Sequence, residues 1–407
     1  MLACSLSHQK PSMRIALVNT EAQRGGAAKV AVTLAKTLAE LGHEVNLYHS
    51  SDQKQQPPMI GLRRFASRQM NALLARIAGS LSIVDFGLAD EIQQHSVNAE
   101  VLHIHNLHGY YLNYQKLLRH WENRPIVWTW HDQWPVTGRC GTPGPDCEKW
   151  KTGCGDCAWM NVYPAAWIDW SAQDYRTKNA IYARLNKLLI VTPSNFLRQI
   201  AITRGFSPNR VQVIPNPVML DEFKPQSQQQ ARQKLGLPEN QPLLLFVAAN
   251  CEDPRKGYAD FAKLCNDLDL AGVVVGKPPA QRAALIHYAG SFLNPGELAG
   301  YYAAADLLIM PTQADNYPNV IIEAMACGTA VLAYNVGGIP DQMPDFWDGV
   351  VEANNFSALK LRCQAILNEY ALLAGLRERF RQHALANWAT EVVAKQYIVA
   401  YQSAMQL

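Results

Sequence analysis

Short apolar runs alternate with longer amphipathic stretches along this chain, and the alternation runs through twice. In the first half, 14–18, 44–48, 101–104, 126–130 and 188–192 read as strands, with helical stretches between them. The first strand leads through the loop 19–26 into an apolar-periodic stretch at 27–41. Gly42 stands where a helix C-terminal glycine belongs. Residues 213–225 carry Pro215, Pro217 and Pro225 and read as a linker. The pattern then restarts with strands at 243–248, 272–275, 307–310 and 330–333 and helices at 258–268, 296–304 and 320–327. Strands that alternate with helices build a parallel, doubly wound sheet, which binds ligands beyond the C-terminal ends of its strands. The expected architecture is α/β, with two Rossmann-like domains facing a cleft: 13–215, 216–385, and a terminal helix, 386–407, returning to the N-terminal domain.

Composition agrees. The chain has 407 residues, 48% of them apolar and 17% charged, enough to fill two cores and too apolar for a disordered chain. A net charge of +3 points to no nucleic-acid partner. No run of 18 apolar residues suggests a spanning helix. The first twelve residues have neither a long apolar core nor an Arg-rich pattern, so they read as an extension ahead of Met13 rather than a leader. The expected location is the cytoplasm.

Four stretches carry chemistry. Gly25-Gly26-Ala27-Ala28 follows the first strand and opens a helix, where small residues let a phosphate or sugar approach backbone N–H groups; a plain tight turn would look the same. Arg255-Lys256-Gly257 follows the strand at 243–248. Asp315 stands eight residues before Glu323 in the stretch after the strand at 307–310, and Ala324-Met325-Ala326-Cys327-Gly328 follows it. Val336-Gly337-Gly338-Ile339-Pro340 comes next. Together with Ile214-Pro215-Asn216 and Gly42-His43-Glu44-Val45, this combination resembles the retaining glycosyltransferases of family 4, which have the GT-B fold. The resemblance covers nearly the whole chain.

The resemblance implies a donor site for a nucleotide-diphosphate sugar. As the glycosidic bond breaks, negative charge grows on the diphosphate. Arg255, Lys256 and the helix N-terminus around Asn316, Tyr317 and Asn319 would meet that charge, so catalysis needs no metal. By resemblance Glu323 goes to the ribose hydroxyls and Asp315 to the donor sugar near its reacting carbon. The reading puts Glu323 two turns beyond Asp315 on nearly the same helical face. Asp315 replaces the longer Glu usual in the family. The usual Arg after the preceding strand is also missing from Ala248-Ala249-Asn250-Cys251, and Arg255 is the candidate to supply its guanidinium. His131, at the end of the strand 126–130, is the implied active-site histidine. A structural histidine under the loop is the alternative. His103, His105 and His108 could line an acceptor side. Asp267-Leu268-Asp269 matches a bare D-x-D pattern but ends a helix, and reads as solvated.

Two further segments stand out. Eight of the ten tryptophans lie within fifty residues, 121–170. Among them Cys140, Cys147, Cys154 and Cys157 suit either a structural zinc ion or a knot of free thiols. Trp134, Trp150 and Trp159 could stack on sugars or form the core of that knot. The run 54–84 contains Lys54, Arg63, Arg64, Arg68 and Arg76 and no acid. Apolar residues from Leu62 to Leu81 repeat there at helical spacing, which suits an anionic membrane surface or a helix packed on the sheet.

The expected function is transfer of a sugar to a glycan acceptor. Resemblance to enzymes of the colanic-acid type implies a lipid-linked oligosaccharide at the inner face of the cytoplasmic membrane. The rival readings are a nucleotide-dependent oxidoreductase or epimerase and a non-catalytic zinc-containing scaffold.

Overall fold

The computed structural model describes residues 12–407 except 24, 51–56, 63–64, 79–86, 145 and 292–293; the side chains of 65–68, 78 and 370–372 are also outside it. The chain forms two compact units. One runs to Trp130 and includes Trp134–Ile190 and Tyr397–Leu407; the other comprises His131–Gln133 and Val191–Gln396.

The first sheet has seven strands: β1 (Arg14–Val18), β2 (Glu44–His49), β3 (Met59–Gly61), β4 (Val101–Ile104), β5 (Ile126–Thr129), β6 (Leu188–Thr192) and β7 (Val211–Val213). Their order is β3-β2-β1-β4-β5-β6-β7. β1 is the third strand in this order, beside the central β4, and runs parallel to both neighbours, with Ile15 opposite Val45 and Val101. The helix Gly26–Glu40 follows β1 and buries Ala28, Ala31, Leu34, Ala35 and Leu38, the spacing of one helical face.

Two tyrosines one turn apart on the helix Thr390–Gln406 reach into this unit's core. Tyr397 Oη lies 2.9 Å from Thr129 Oγ1, and Tyr401 Oη lies 2.8 Å from His103 Nδ1. His103 Nε2 lies 2.8 Å from Thr129 Oγ1, which closes the chain of polar groups. His103 is therefore a core residue rather than part of an acceptor surface. Burial raises the phenol pKa of both tyrosines, so they remain neutral.

The second sheet has six strands: β8 (Leu243–Asn250), β9 (Ala271–Lys277), β10 (Ile286–Gly290), β11 (Leu307–Met310), β12 (Ala330–Tyr334) and β13 (Val350–Val351). They run in the order β10-β9-β8-β11-β12-β13, and the ladders are parallel. Leu244, Leu245, Leu307 and Leu308 are fully buried, as expected of strands covered on both faces. Arg232, on the helix Gln228–Leu235, pairs with Asp306 at 2.7 Å, and both side chains are 3% exposed. The same carboxylate accepts the Leu243 N–H at 2.7 Å and the Gln228 amide at 2.8 Å, so one buried group ties the starts of β8 and β11 to the helix.

Four strands, β3, β7, β10 and β13, were not expected from the sequence. The D-x-D pattern is, as expected, a helix end: Asp267 pairs with Lys263 and Lys360, and Asp269 closes the helix Tyr258–Leu268 at φ +51°.

Candidate active site

The second sheet presents two loops beyond the C-terminal ends of β8 and β11, and hydrogen bonds join them. The Arg255 carbonyl accepts the Gln313 N–H at 2.7 Å and the Thr312 hydroxyl at 2.9 Å. Gly257 makes this approach possible. It adopts φ +78°, and a Cβ there would run into the Pro311 carbonyl oxygen. Lys256 Nζ then reaches Asp315 Oδ2 at 2.8 Å, with the two side chains 31% and 17% exposed. Two residues 59 apart in sequence thus form an ion pair at the mouth of the sheet.

Asp315 is not on the helix. The helix begins at Asn319, after Pro318, because the residue before a proline is pushed out of the helical region. Asp315 and Glu323 therefore share no helical face, and Asp315 owes its position to loop contacts. Gly337 supports that loop from below. It has φ +56°, and any Cβ there would strike the Asp315 carbonyl oxygen. The Gly338 N–H donates to the Asn316 carbonyl at 3.1 Å.

Each remaining donor-side candidate has a definite place. Pro318 serves as N-cap without a side-chain hydrogen bond, while Asn319 Oδ1 accepts from the Asn216 amide at 2.8 Å. The Asn316 amide donates to the His131 carbonyl at 3.2 Å, within the same compact unit. Tyr317 is buried, accepts the Trp388 indole N–H at 3.1 Å, and has its phenol pKa raised by burial. It shapes the loop from beneath. Arg255 turns to Asp253, bonding both carboxylate oxygens at 3.0 and 2.7 Å. These hydrogen bonds hold the Asp253 carboxyl below its usual range and raise the guanidinium.

Glu323 lies deeper than the sequence suggests, at 3% exposure. Tyr302 donates to its Oε2 at 2.9 Å, and burial, then the carboxylate, pushes the Tyr302 phenol well above its ordinary value. Tyr302 is a partner of the candidate residue Glu323 that sequence reasoning missed, since no motif links the helix Pro295–Ala304 to Glu323. In the first unit Gly25 (φ +90°) caps the helix that Gly26 opens, with no side-chain cap.

The cysteines form a separate place. Cys140, Cys147, Cys154 and Cys157 all line one cavity of about 330 Å³. The Gly138 N–H donates to Cys154 Sγ at 3.1 Å, and burial pushes the Cys140 thiol up to about 11. Among the described residues, no three His, Cys, Asp or Glu side chains are placed to hold a metal ion, so the expected zinc site has no preformed ligand set. Trp134 is 2% exposed and lies under the Lys178 ammonium, 3.5 Å from its ring centre, so it belongs to the core.

A Lys-Gly loop, an acidic loop and a helix N-terminus beyond a parallel sheet define the class: a glycosyltransferase of the GT-B fold. The model for Glycosyltransferase Family 4 matches residues 24–222 and that for Glycosyl transferases group 1 matches 227–386. The chain belongs to the family 4 glycosyltransferases that join these two modules. It is 28% identical over 345 residues to a protein of Escherichia coli (strain K12) provisionally named colanic acid biosynthesis glycosyl transferase WcaC, covering 79% of this chain and 83% of that one. Among solved structures it resembles sucrose-phosphate synthase from Thermosynechococcus elongatus, with a TM-score of 0.70, 20% identity and coverage of 96% and 98%. It also resembles Anabaena HepE in complex with UDP and glucose, with a TM-score of 0.69, 16% identity and coverage of 96% and 100%.

Proposed function

We propose that this enzyme moves a sugar from a nucleoside diphosphate sugar to a lipid-linked glycan in exopolysaccharide assembly, with retention at the anomeric carbon, at the inner face of the cytoplasmic membrane. The observation that carries this reading is the Lys256–Asp315 pair held by the Gly257 turn at the end of the sheet. Lys256 exchanges its carboxylate partner for the diphosphate as charge develops there, which frees Asp315 to turn to the donor sugar. The ribose contact is assigned to Glu323, whose carboxylate Tyr302 holds in place at Oε2. His131 is given a role at the sugar through its ring. The name of the Escherichia coli relative and the UDP and glucose complexed with Anabaena HepE support a polysaccharide product and a nucleotide-sugar donor.

Nucleotide sugars incubated with the protein and extracted lipid-linked glycan should release free UDP or GDP, and proton NMR of the product should show the donor's anomeric configuration. Binding of NAD in place of a nucleoside diphosphate would refute the assignment.

Transfer should survive EDTA, because the Lys256 ammonium meets the leaving group. Abolition by EDTA with rapid rescue by magnesium or manganese would contradict that. The cysteine cavity is proposed as a structural zinc site whose thiols draw together on the ion and lose their protons. About one zinc per chain by elemental analysis is expected, and full thiol reactivity without zinc would overturn it.

Gly337→Ala should displace the Asp315 loop and lower turnover by roughly tenfold to a hundredfold, since a shift of about 1 Å at a reacting group can cost that much. Wild-type kinetics in that variant would show that the loop does not depend on Gly337.

A further inference from the structure

The helix Phe65–Ala78 is turned inside out. Asn71 and Ala75 are buried at 6% and 4% exposure, whereas Met70, Leu73 and Ile77 stand at 51%, 52% and 43%. Residues three and four apart share a helical face, and a helix packed on a core buries its apolar one. Here that face meets solvent. The expectation of an apolar stripe is met over this part; Lys54, Arg63, Arg64 and Leu81 lie outside the described residues, and of Arg68 only the backbone is described.

A second exposed apolar segment abuts the first. Trp167 is 68% exposed, and Ile168 and Tyr163 are each 51% exposed. The Trp167 N–H donates to the Arg76 carbonyl at 2.8 Å, and the Arg76 guanidinium lies 5.8 Å from the Trp167 ring centre. Nine of the 17 large apolar side chains exposed among the described residues fall within 70–77 and 159–170, so this is a patch rather than scatter.

Chemistry selects the occupant. Tryptophan, tyrosine and arginine beside aliphatic tips are the side chains that settle at a lipid headgroup layer, with apolar ends in the acyl region and polar ends among phosphates. The five cations of 54–84, with no acid among them, complement an anionic leaflet. A second copy of the chain would set the Arg76 guanidinium, which lies beside Trp167, against its own counterpart. We propose that Met70, Leu73, Ile77, Trp167 and Ile168 form a shallow insertion face that docks the protein on an anionic bilayer, with Arg76 at the phosphate level. No described helix is long and apolar enough to cross a membrane, and a docking face needs none. This inference stands apart from the donor-site chemistry.

The test uses the full chain with phosphatidylcholine vesicles and with vesicles that also contain phosphatidylglycerol. The protein should co-sediment with the anionic vesicles at low salt and leave them at high salt, and its tryptophan emission should shift to the blue and be quenched by brominated acyl chains. Leu73→Ser with Ile77→Ser, and separately Trp167→Ser, should each lower partitioning by about tenfold or more. Each of Arg63, Arg64, Arg68 and Arg76 changed to Gln should lower it about fivefold. Melting temperature and nucleotide binding should not change. Wild-type protein that ignores anionic vesicles at low salt would overturn the proposal. So would unquenched tryptophan, or a dimer in sedimentation velocity that Leu73→Ser dissolves. Loss of nucleotide binding with vesicle binding intact would count against the donor site instead.

Discussion

Lys256→Ala should lower turnover by about 100- to 1,000-fold, the usual effect of removing one preorganised charge partner of a leaving group. The thermal transition should move little, because the Lys256–Asp315 pair is partly solvated and such pairs contribute modestly to stability. Lys256→Arg keeps the charge but adds length and a planar head, so it should recover only part of the rate. Glu323 needs a different design. Glu323→Ala leaves the Tyr302 hydroxyl buried without its acceptor, which costs about 1–3 kcal/mol of stability on top of any loss of donor affinity. Glu323→Gln retains an acceptor for Tyr302, and should raise the donor KM while leaving the melting temperature near that of the wild type. Lys256→Ala turning over at the wild-type rate would remove the ground for placing the diphosphate here.

Asp306→Ala should destabilise the second unit by about 3–5 kcal/mol, because it leaves the Arg232 guanidinium buried and unpaired. The Leu243 N–H and the Gln228 amide lose their acceptor in the same step. For a unit of this size the midpoint should fall by roughly 10 °C. Arg232→Met is the milder change, since Asp306 keeps Leu243 and Gln228 and the methionine refills most of the stem volume. The order of the two melting temperatures is the test; a lower value for Arg232→Met would mean that the guanidinium, which also donates to the Ala304, Glu239 and Gln241 carbonyls, is the larger organiser.

The legible part of the fold was its interior. The nine strands expected from apolar runs are the inner strands of the two sheets, where both faces are covered and the sequence must be apolar throughout. β3, β7, β10 and β13 were missed, and they are the four edges. Edge strands are short and half-solvated, so Val211–Val213 and Ile286–Gly290 carry no continuous apolar signal. The site divides similarly. The family resemblance singled out Lys256, Asp315 and Glu323, but the ion pair between the first two depends on loops that no motif describes. Pro318 was the signal that the helix starts too late to carry Asp315. Tyr302 left none, because its bond to Glu323 forms only when the two helices pack. The tryptophan-rich segment was visible as composition, yet nothing in the residue string separates buried Trp134 from exposed Trp167.

The Thr390–Gln406 helix bears on how the protein is made. Its Tyr397 and Tyr401 supply the hydroxyls that meet Thr129 and His103 inside the first unit. Those partners are translated far earlier, with separations of 268 and 298 positions along the chain. The first unit therefore waits until residues 390–406 have left the ribosome before its polar core is closed. A nascent chain stalled before residue 390 holds a sheet whose buried histidine and threonine lack those tyrosines, and that is the stage at which a chaperone has most to hold.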